Sequence, residues 1–262
     1  MAAVAELLRS HMPAGQSDWL DLAQTLGQGK LRERAARMDE ENRFPFENYD
    51  DLRQSGLLGL TVPKEYGGGG VDSVTYVGVL TEIAQGCAST GLTFNMHCAI
   101  IDFLSQIASP NQKKKYFHEV VDEGAVLASI TSEPASSFRD VFRVKTQIVQ
   151  DDDGYRLNGT KAWCSLSTAA RYYFTWSRLK NSETLADGLL NVMVPSDRPG
   201  IEILDDWDTL GMRATASNSI KFDNVRLEQD EVIGAPGVIL TKDLSFWSLG
   251  YTAVYVGIAE AA

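Results

Sequence analysis

Ser129-Ile130-Thr131-Ser132-Glu133-Pro134 and Leu157-Asn158-Gly159-Thr160-Lys161-Ala162-Trp163-Cys164-Ser165 bracket the stretch that decides how this chain is read. Between them, residues 144–150 predict a strand and Asp151-Asp152-Asp153-Gly154 a turn. Asn158-Gly159 between short β-rich runs predicts a second hairpin turn, because a type I′ turn needs positive φ at both central positions. Neighbouring strands of one antiparallel sheet would then carry two segments rich in hydroxyls, one with an indole beside it. Hydroxyls and free N–H groups at a sheet rim suit a flat heterocycle with a polar edge. On residue chemistry alone, an ordinary sheet with surface Ser and Thr is the better account of the pattern.

Outward from this stretch the character changes on both sides. Residues 1–124 read as an all-α bundle: Leu20, Leu22, Leu26, Leu31, Ala35 and Met38 recur at helical spacing. Residues 74–84 form one apolar stripe, and residues 92–107 are apolar nearly all round, which predicts a central helix containing His97. Ser109-Pro110-Asn111-Gln112 is a capping box with proline at the first helical position. Residues 58–63 read as short and extended. Gly67 to Gly70 invite a phosphate-loop reading, but no Lys-Ser/Thr follows them. Residues 125–237 carry short strands separated by turn residues, which predicts an antiparallel β-barrel or sandwich. Residues 238–262 return to helix, and nothing within the chain is seen to cover that helix's second face. The fold class is therefore α+β and multidomain, with boundaries expected at 124/125 and 237/238.

The 262 residues exceed the usual size of one core, and the net charge of −11 argues against nucleic-acid and anionic-membrane partners. Cys87, Cys98 and Cys164 are odd in number and scattered, so a reducing, cytoplasmic setting is expected. No signal peptide and no apolar run of about 18 residues is visible. No metal-ligand spacing stands out.

Taken together, the motifs resemble the acyl-CoA dehydrogenase family. The matching residues are Leu57 to Pro63 with Tyr66-Gly67-Gly68, Ala88-Ser89-Thr90 with His97, Gln112 to Tyr116, Ser132-Glu133-Pro134, Leu157 to Trp163, and Leu210-Gly211-Met212-Arg213 with Ser217, Phe222 and Val225. The resemblance implies a helical first domain, a β middle domain and the start of a helical third. It implies FAD as cofactor, an acyl-CoA or other acyl thioester as substrate, an electron-transfer flavoprotein or similar acceptor, and a homo-oligomer. By position it assigns Thr131 and Ser132 to the flavin's pyrimidine edge and N5 region, and Trp163 and Ser165 to stacking on and bonding the ring. Phe138 and His97 are the substrate-side candidates. Arg213 stands near cofactor phosphate, at a subunit contact or in a surface ion pair.

Departures from the family pattern are expected to alter the chemistry. The Gly-rich loop after Glu-Pro is replaced by Ala135-Ser136-Ser137-Phe138, and Ser245, Trp247 and Ser248 stand where the family often has Asp, a base and Arg. No base is assigned within these residues, Glu133 reads as structural, and the chain alone is expected to lack desaturase activity. Two alternatives stay open. One is a flavin monooxygenase on the same scaffold, with His97 or Ser165 lining an oxygen-handling cavity. The other is a non-catalytic partner subunit.

Overall fold

The computed structural model describes residues 4–134, 144–152 and 154–262. The first part is helical: α1 (Val4–Arg9), α2 (Ser17–Leu26), α3 (Arg32–Glu40), α4 (Phe46–Gln54), α5 (Ser73–Gly86), α6 (Ala88–Ile107) and α7 (Pro110–Glu123). Local chemistry sets several ends. Asp72 accepts the Thr75 N–H at 2.9 Å to start α5. At α7, Ser109 Oγ accepts the Gln112 N–H while the Ser109 N–H donates to Gln112 Oε1, and Gly124 at φ +70 ends the helix. Residues 58–63 are not extended, contrary to the sequence reading. Gly56 at φ +78 turns the chain into a 3₁₀ turn, Leu57–Gly59.

The second part is one sheet made of β1 (Leu127–Ser129), β2 (Gln147–Asp151), β3 (Gly154–Lys161), β4 (Tyr172–Leu179), β5 (Leu189–Pro195), β6 (Ile201–Ile203), β7 (Ile220–Leu227) and β8 (Val232–Ile233), with the short α8 (Leu185–Gly188) before β5. Its order is β6-β7-β3-β2-β4-β5-β8, with β1 also on β4. The sheet is mixed rather than antiparallel throughout. β1 pairs with Tyr172 to Phe174 and β2 with Arg178 and Leu179, both parallel to β4. The chain leaves one edge of β4 after Ser129 and rejoins the same edge further along without reversing direction.

Asn158-Gly159 makes no hairpin. β3 runs straight through it, and the pairing with β7 shifts register between Leu157 and Gly159. Gly159 sits at φ +149, where a Cβ would lie 2.8 Å from the Thr146 Cα. The glycine therefore marks a bulge and a close backbone approach, the other standard meaning of glycine within a strand. Gly159→Ala is expected to destabilise the protein by about 1–3 kcal/mol through that overlap. Urea denaturation reads the change, and an unchanged midpoint would remove the steric account.

Two buried clusters form the core, and each mixes helix with sheet. Leu80, Ile83 and Phe94 pack with Ile148, Leu157 and Phe222, while Phe103, Tyr116 and Phe117 pack with Tyr172, Phe174 and Met193. The last helix, α9 (Ser245–Ala261), lies along α5 and α6 through small residues. A Cβ on Gly257 would fall 2.4 Å from the Thr81 carbonyl oxygen, so no larger residue permits that approach. Phe246 stacks on Tyr76 with centroids 4.3 Å apart. Leu249 and Tyr255 on α9 are exposed. Among the described residues, no helix is long and apolar enough to cross a membrane.

Candidate functional site

The segment after β3 is where the sheet stops being regular and a cavity begins. Lys161 closes β3, and the Ala162 N–H donates to the Ser132 carbonyl at 3.0 Å, which holds the two motif segments side by side. Trp163 then takes φ +56 and Leu166 φ +68, while across the cavity Met212 takes +57 and Ala216 +45. Trp163 and Met212 line the cavity itself, while Leu166 and Ala216 are buried and follow lining residues in sequence; backbone strain of this kind clusters at functional sites.

The cavity holds about 390 Å³, within the range of about 300–1,000 Å³ typical of small-molecule sites. Ser132, Trp163 and Ser165 line it from one side, Trp207, Met212, Thr215 and Ser217 from another, and Leu92, Met96 and Tyr251 from α6 and α9. The indole of Trp163 is 60% exposed, so its face is available to a ligand. No described lining residue is ionised at neutral pH, and burial pushes the Tyr251 phenol up from its ordinary value. Beneath the rim, Ser165 Oγ and Ser217 Oγ are 2.7 Å apart, as are Ser217 Oγ and Thr215 Oγ1. Thr215 in turn donates to the Met212 carbonyl at 2.9 Å.

Of the residues assigned from sequence, Ser132, Trp163 and Ser165 are brought together at this opening. Thr131 is adjacent but does not line it; its carbonyl accepts from Lys161 Nζ at 3.3 Å. Phe138 lies outside the described residues. His97 is not brought to the cavity. It is fully buried; its Nε2 faces the Leu58 carbonyl at 2.9 Å and its Nδ1 accepts the Leu127 N–H at 3.0 Å. With both nitrogens committed to backbone, the ring has nothing left for a ligand. Cys164 is fully buried, and burial pushes its thiol up to about 12, so it packs as a small apolar residue. Arg213 is committed elsewhere, donating to the Asp39 carbonyl and pairing with Asp208 at 3.0 Å.

Glu133 takes no part in lining the cavity. Its carboxylate accepts from the Lys145 N–H at 2.7 Å, the Thr146 N–H at 2.9 Å, the Thr146 hydroxyl at 2.7 Å and Lys161 Nζ at 2.9 Å. It thus joins the point where the chain leaves the β4 edge to the point where it returns. Burial works against the charged form, yet Lys161 and these donors hold the carboxyl below its usual range. A larger depression of about 490 Å³ beside the α6–α7 corner contains none of the assigned residues. There, Gln112 Nε2 is already bound to the Asp230 and Val232 carbonyls.

Residues 207–217 were the part of the site least apparent from sequence. Trp207, Thr209 and Thr215 carry no spacing that announces a cavity wall; the available signal is the motif Leu210-Gly211-Met212-Arg213 with Ser217.

Comparison with known proteins places this geometry in a family. Residues 13–123 match "Acyl-CoA dehydrogenase, N-terminal domain" and residues 128–225 match "Acyl-CoA dehydrogenase, middle domain". The chain belongs to the acyl-CoA dehydrogenase family and carries these two domains. A dibenzothiophene monooxygenase of Rhodococcus erythropolis is 31% identical over 258 residues, covering 95% of this chain and 61% of that protein. The short-chain specific acyl-CoA dehydrogenase of Rattus norvegicus mitochondria is 28% identical over 232 residues, 87% of this chain and 56% of that protein. The crystal structure of TdsC from Paenibacillus sp. A11-2 with FMN and indole superposes with a TM-score of 0.84 at 31% identity, covering 93% of this chain and 62% of that one. The chain thus spans about three fifths of the length of these relatives.

Proposed function

We propose that this chain is the flavin-binding part of a monooxygenase that acts on a small, neutral aromatic substrate. The observation that carries the reading is the cavity's lining, which pairs an exposed indole and apolar walls with a hydroxyl edge and has no ionised side chain among its described residues. Such a lining suits a flat, uncharged ring. Identity of 31% to dibenzothiophene monooxygenases, against 28% to the short-chain dehydrogenase, supports the same preference. The cofactor proposed is FMN, as in the TdsC complex, in place of the FAD that the family resemblance implied.

The residues fit the ring system of a flavin. Trp163 offers one aromatic face, Ser132 and Ser165 offer polar contacts at an edge, and Leu92, Met96 and Met212 exclude water from the apolar side. The same lining offers no cation for the flavin's phosphate. When bound, reduced flavin supplies two electrons and two hydrogens per turnover, so that substrate and O₂ become a monooxygenated product, water and oxidised flavin. The role of this chain is to hold the ring, orient its edge and keep the surroundings dry.

Titrating the full chain with FMN, FAD and butyryl-CoA tests the reading. FMN fluorescence is expected to be quenched on binding. Trp163→Ala is expected to weaken binding about tenfold through loss of the stacked ring. Anaerobically reduced FMN with indole or dibenzothiophene, then exposed to air, is expected to add one oxygen to the aromatic compound. A chain that leaves FMN free yet binds butyryl-CoA would overturn the proposal.

A further inference from the structure

Most of the cavity stands on regular elements or directly after them. Trp163 and Ser165 follow β3, Leu92 and Met96 lie on α6, and Tyr251 lies on α9. The wall at residues 207–212 is different, because it is irregular backbone with no helix or ladder to fix it. Its placement comes from side chains. Trp207 Nε1 donates to the Met212 carbonyl at 3.3 Å and closes the segment on itself. Two longer reaches tie it to the end of α3. Asn42 Nδ2 donates to the Trp207 carbonyl at 3.0 Å, and Arg213 Nε donates to the Asp39 carbonyl at 3.0 Å. The Arg213 N–H also donates to Asp39 Oδ1 at 3.3 Å, while its Nη1 donates to the Thr209 carbonyl at 2.8 Å. The wall is thus held at both ends and in the middle.

The joint is built from groups that want these partners. The Asp39 carbonyl is among the last four of α3, which the helix cannot satisfy, and a guanidinium there complements the negative end of the helix. Met212 and Asn42 take φ +57 and +48. Such backbone persists where neighbouring bonds over-determine it, and Arg213, next after Met212, supplies them. Packing at the tip does not hold the wall. Leu210 is fully exposed, and among the described residues nothing lies within 4 Å of a Cβ placed on Gly211. We propose that Asn42 and Arg213 are positioning residues that pin this wall to α3 and thereby set the size of ring the cavity accepts. The inference rests on the proposed function, since the ring in question is the aromatic substrate. Freed from α3, the segment has room to move outward, and its lining residues Trp207, Thr209 and Gly211 move with it. A bicyclic ligand then loses contact, whereas a tricyclic one gains room.

The test measures the affinities of the full chain, with oxidised FMN bound so that no turnover occurs, for indole and for dibenzothiophene. Arg213→Ala is expected to shift the ratio of the two affinities about tenfold toward dibenzothiophene, the size of a lost charge-assisted hydrogen bond. Asn42→Gly keeps the left-handed backbone and removes only the side chain. Its bond is exposed to solvent, so a shift of about threefold in the same direction is expected. Arg213→Lys keeps the charge beside Asp208 but cannot donate to the Asp39 and Thr209 carbonyls together, and is expected to behave as Arg213→Ala. Asp208→Asn is expected to behave as the parent, because Asp208 is 86% exposed and its ion pair adds little. Hydrogen exchange of residues 207–213 is expected to quicken in Arg213→Ala and Asn42→Gly while α6 and β3 keep their protection. Both affinities falling by one common factor, or protection lost throughout the chain in both variants, would reduce the two residues to a structural role and overturn the proposal. Rescue by Arg213→Lys, or a shifted ratio in Asp208→Asn, would overturn it by assigning the effect to a surface charge. Arene binding with an unchanged ratio overturns the pin alone, whereas a parent chain that binds neither FMN nor either arene overturns the proposed function with it.

Discussion

Lys161→Met is expected to cost about 3–5 kcal/mol of stability, because it removes a buried ammonium that pairs with the buried Glu133 carboxylate. The Lys161 side chain is 0% exposed and that of Glu133 5%, with Nζ and Oε1 2.9 Å apart. Burial pulls the ammonium down while Glu133 pushes it back up, and the Glu133 carboxyl is held below its usual range by Lys161 and by the Lys145 and Thr146 donors. Those donors place the loss toward the lower end of the range. Thermal melting would register a fall of about 10 °C for a chain of this size. Glu133→Gln strands the ammonium instead and is expected to cost a similar amount. The double variant removes both charges and is expected to recover part of either loss, since two neutral groups carry no uncompensated charge. A Lys161→Met protein that melts within about 2 °C of the parent would show that the pair is not the clamp. The clamp matters to the site because Glu133 follows Ser132 directly and Lys161 precedes Trp163 by two residues. The same ion pair that closes the β4 edge therefore sets the spacing of the cavity's rim.

The helical part of this architecture was legible because its signals are local. The capping box at Ser109 appears in place, and the apolar stretch containing His97 became α6. The β part was legible as strands but not as a topology. Whether β1 and β2 run parallel to β4 depends on the chain returning to the same strand edge, and no residue pattern within either strand encodes that return. Asn158-Gly159 shows a second kind of limit. Glycine permits a tight turn and equally permits a close approach, and only the presence of Thr146 against its Cα decides between them. The segments holding Ser132, Trp163 and Ser165 could be found because their motifs are distinctive. Of the opposing wall, Gly211, Met212 and Ser217 belong to a recognisable motif, but Trp207, Thr209 and Thr215 do not, because their role comes from contacts such as Trp207 Nε1 to the Met212 carbonyl rather than from spacing. His97 is a related case. A histidine within an apolar helix reads either as a packed core residue or as a cavity residue, and here two backbone groups from separate segments make it the former.

His97 also sets the second large expectation, a steep loss of stability in mild acid. Its imidazole is pushed down from 6.5 to about 4 by burial, against a smaller opposing effect of the Leu58 carbonyl. Between these values the unfolded chain takes up a proton that the folded chain refuses, so acid favours unfolding. The contribution is complete above pH 6.5 and is lost as the pH falls toward 4, reaching about 2–3 kcal/mol by pH 4.5. His97→Gln keeps an N–H for Leu58 and an oxygen for the Leu127 N–H but cannot be protonated. At pH 7.5 it is expected to be less stable than the parent by about 1–3 kcal/mol, from imperfect geometry at both bonds. By pH 4.5 the gap is expected to close or reverse, because only the parent bears the protonation penalty. Urea midpoints of the two proteins at both pH values measure this, and comparing them cancels the carboxylates they share. A gap that stays constant across the range would mean that His97 is not the group responsible. Protonation of this ring breaks the Leu127 bond, which ties α6 to β1. Leu92 and Met96 of the cavity wall lie on that helix, and Ser132 lies three residues beyond the end of that strand. Acid is therefore expected to loosen the cavity before it unfolds the chain, with FMN affinity falling at a higher pH than the one at which secondary structure is lost.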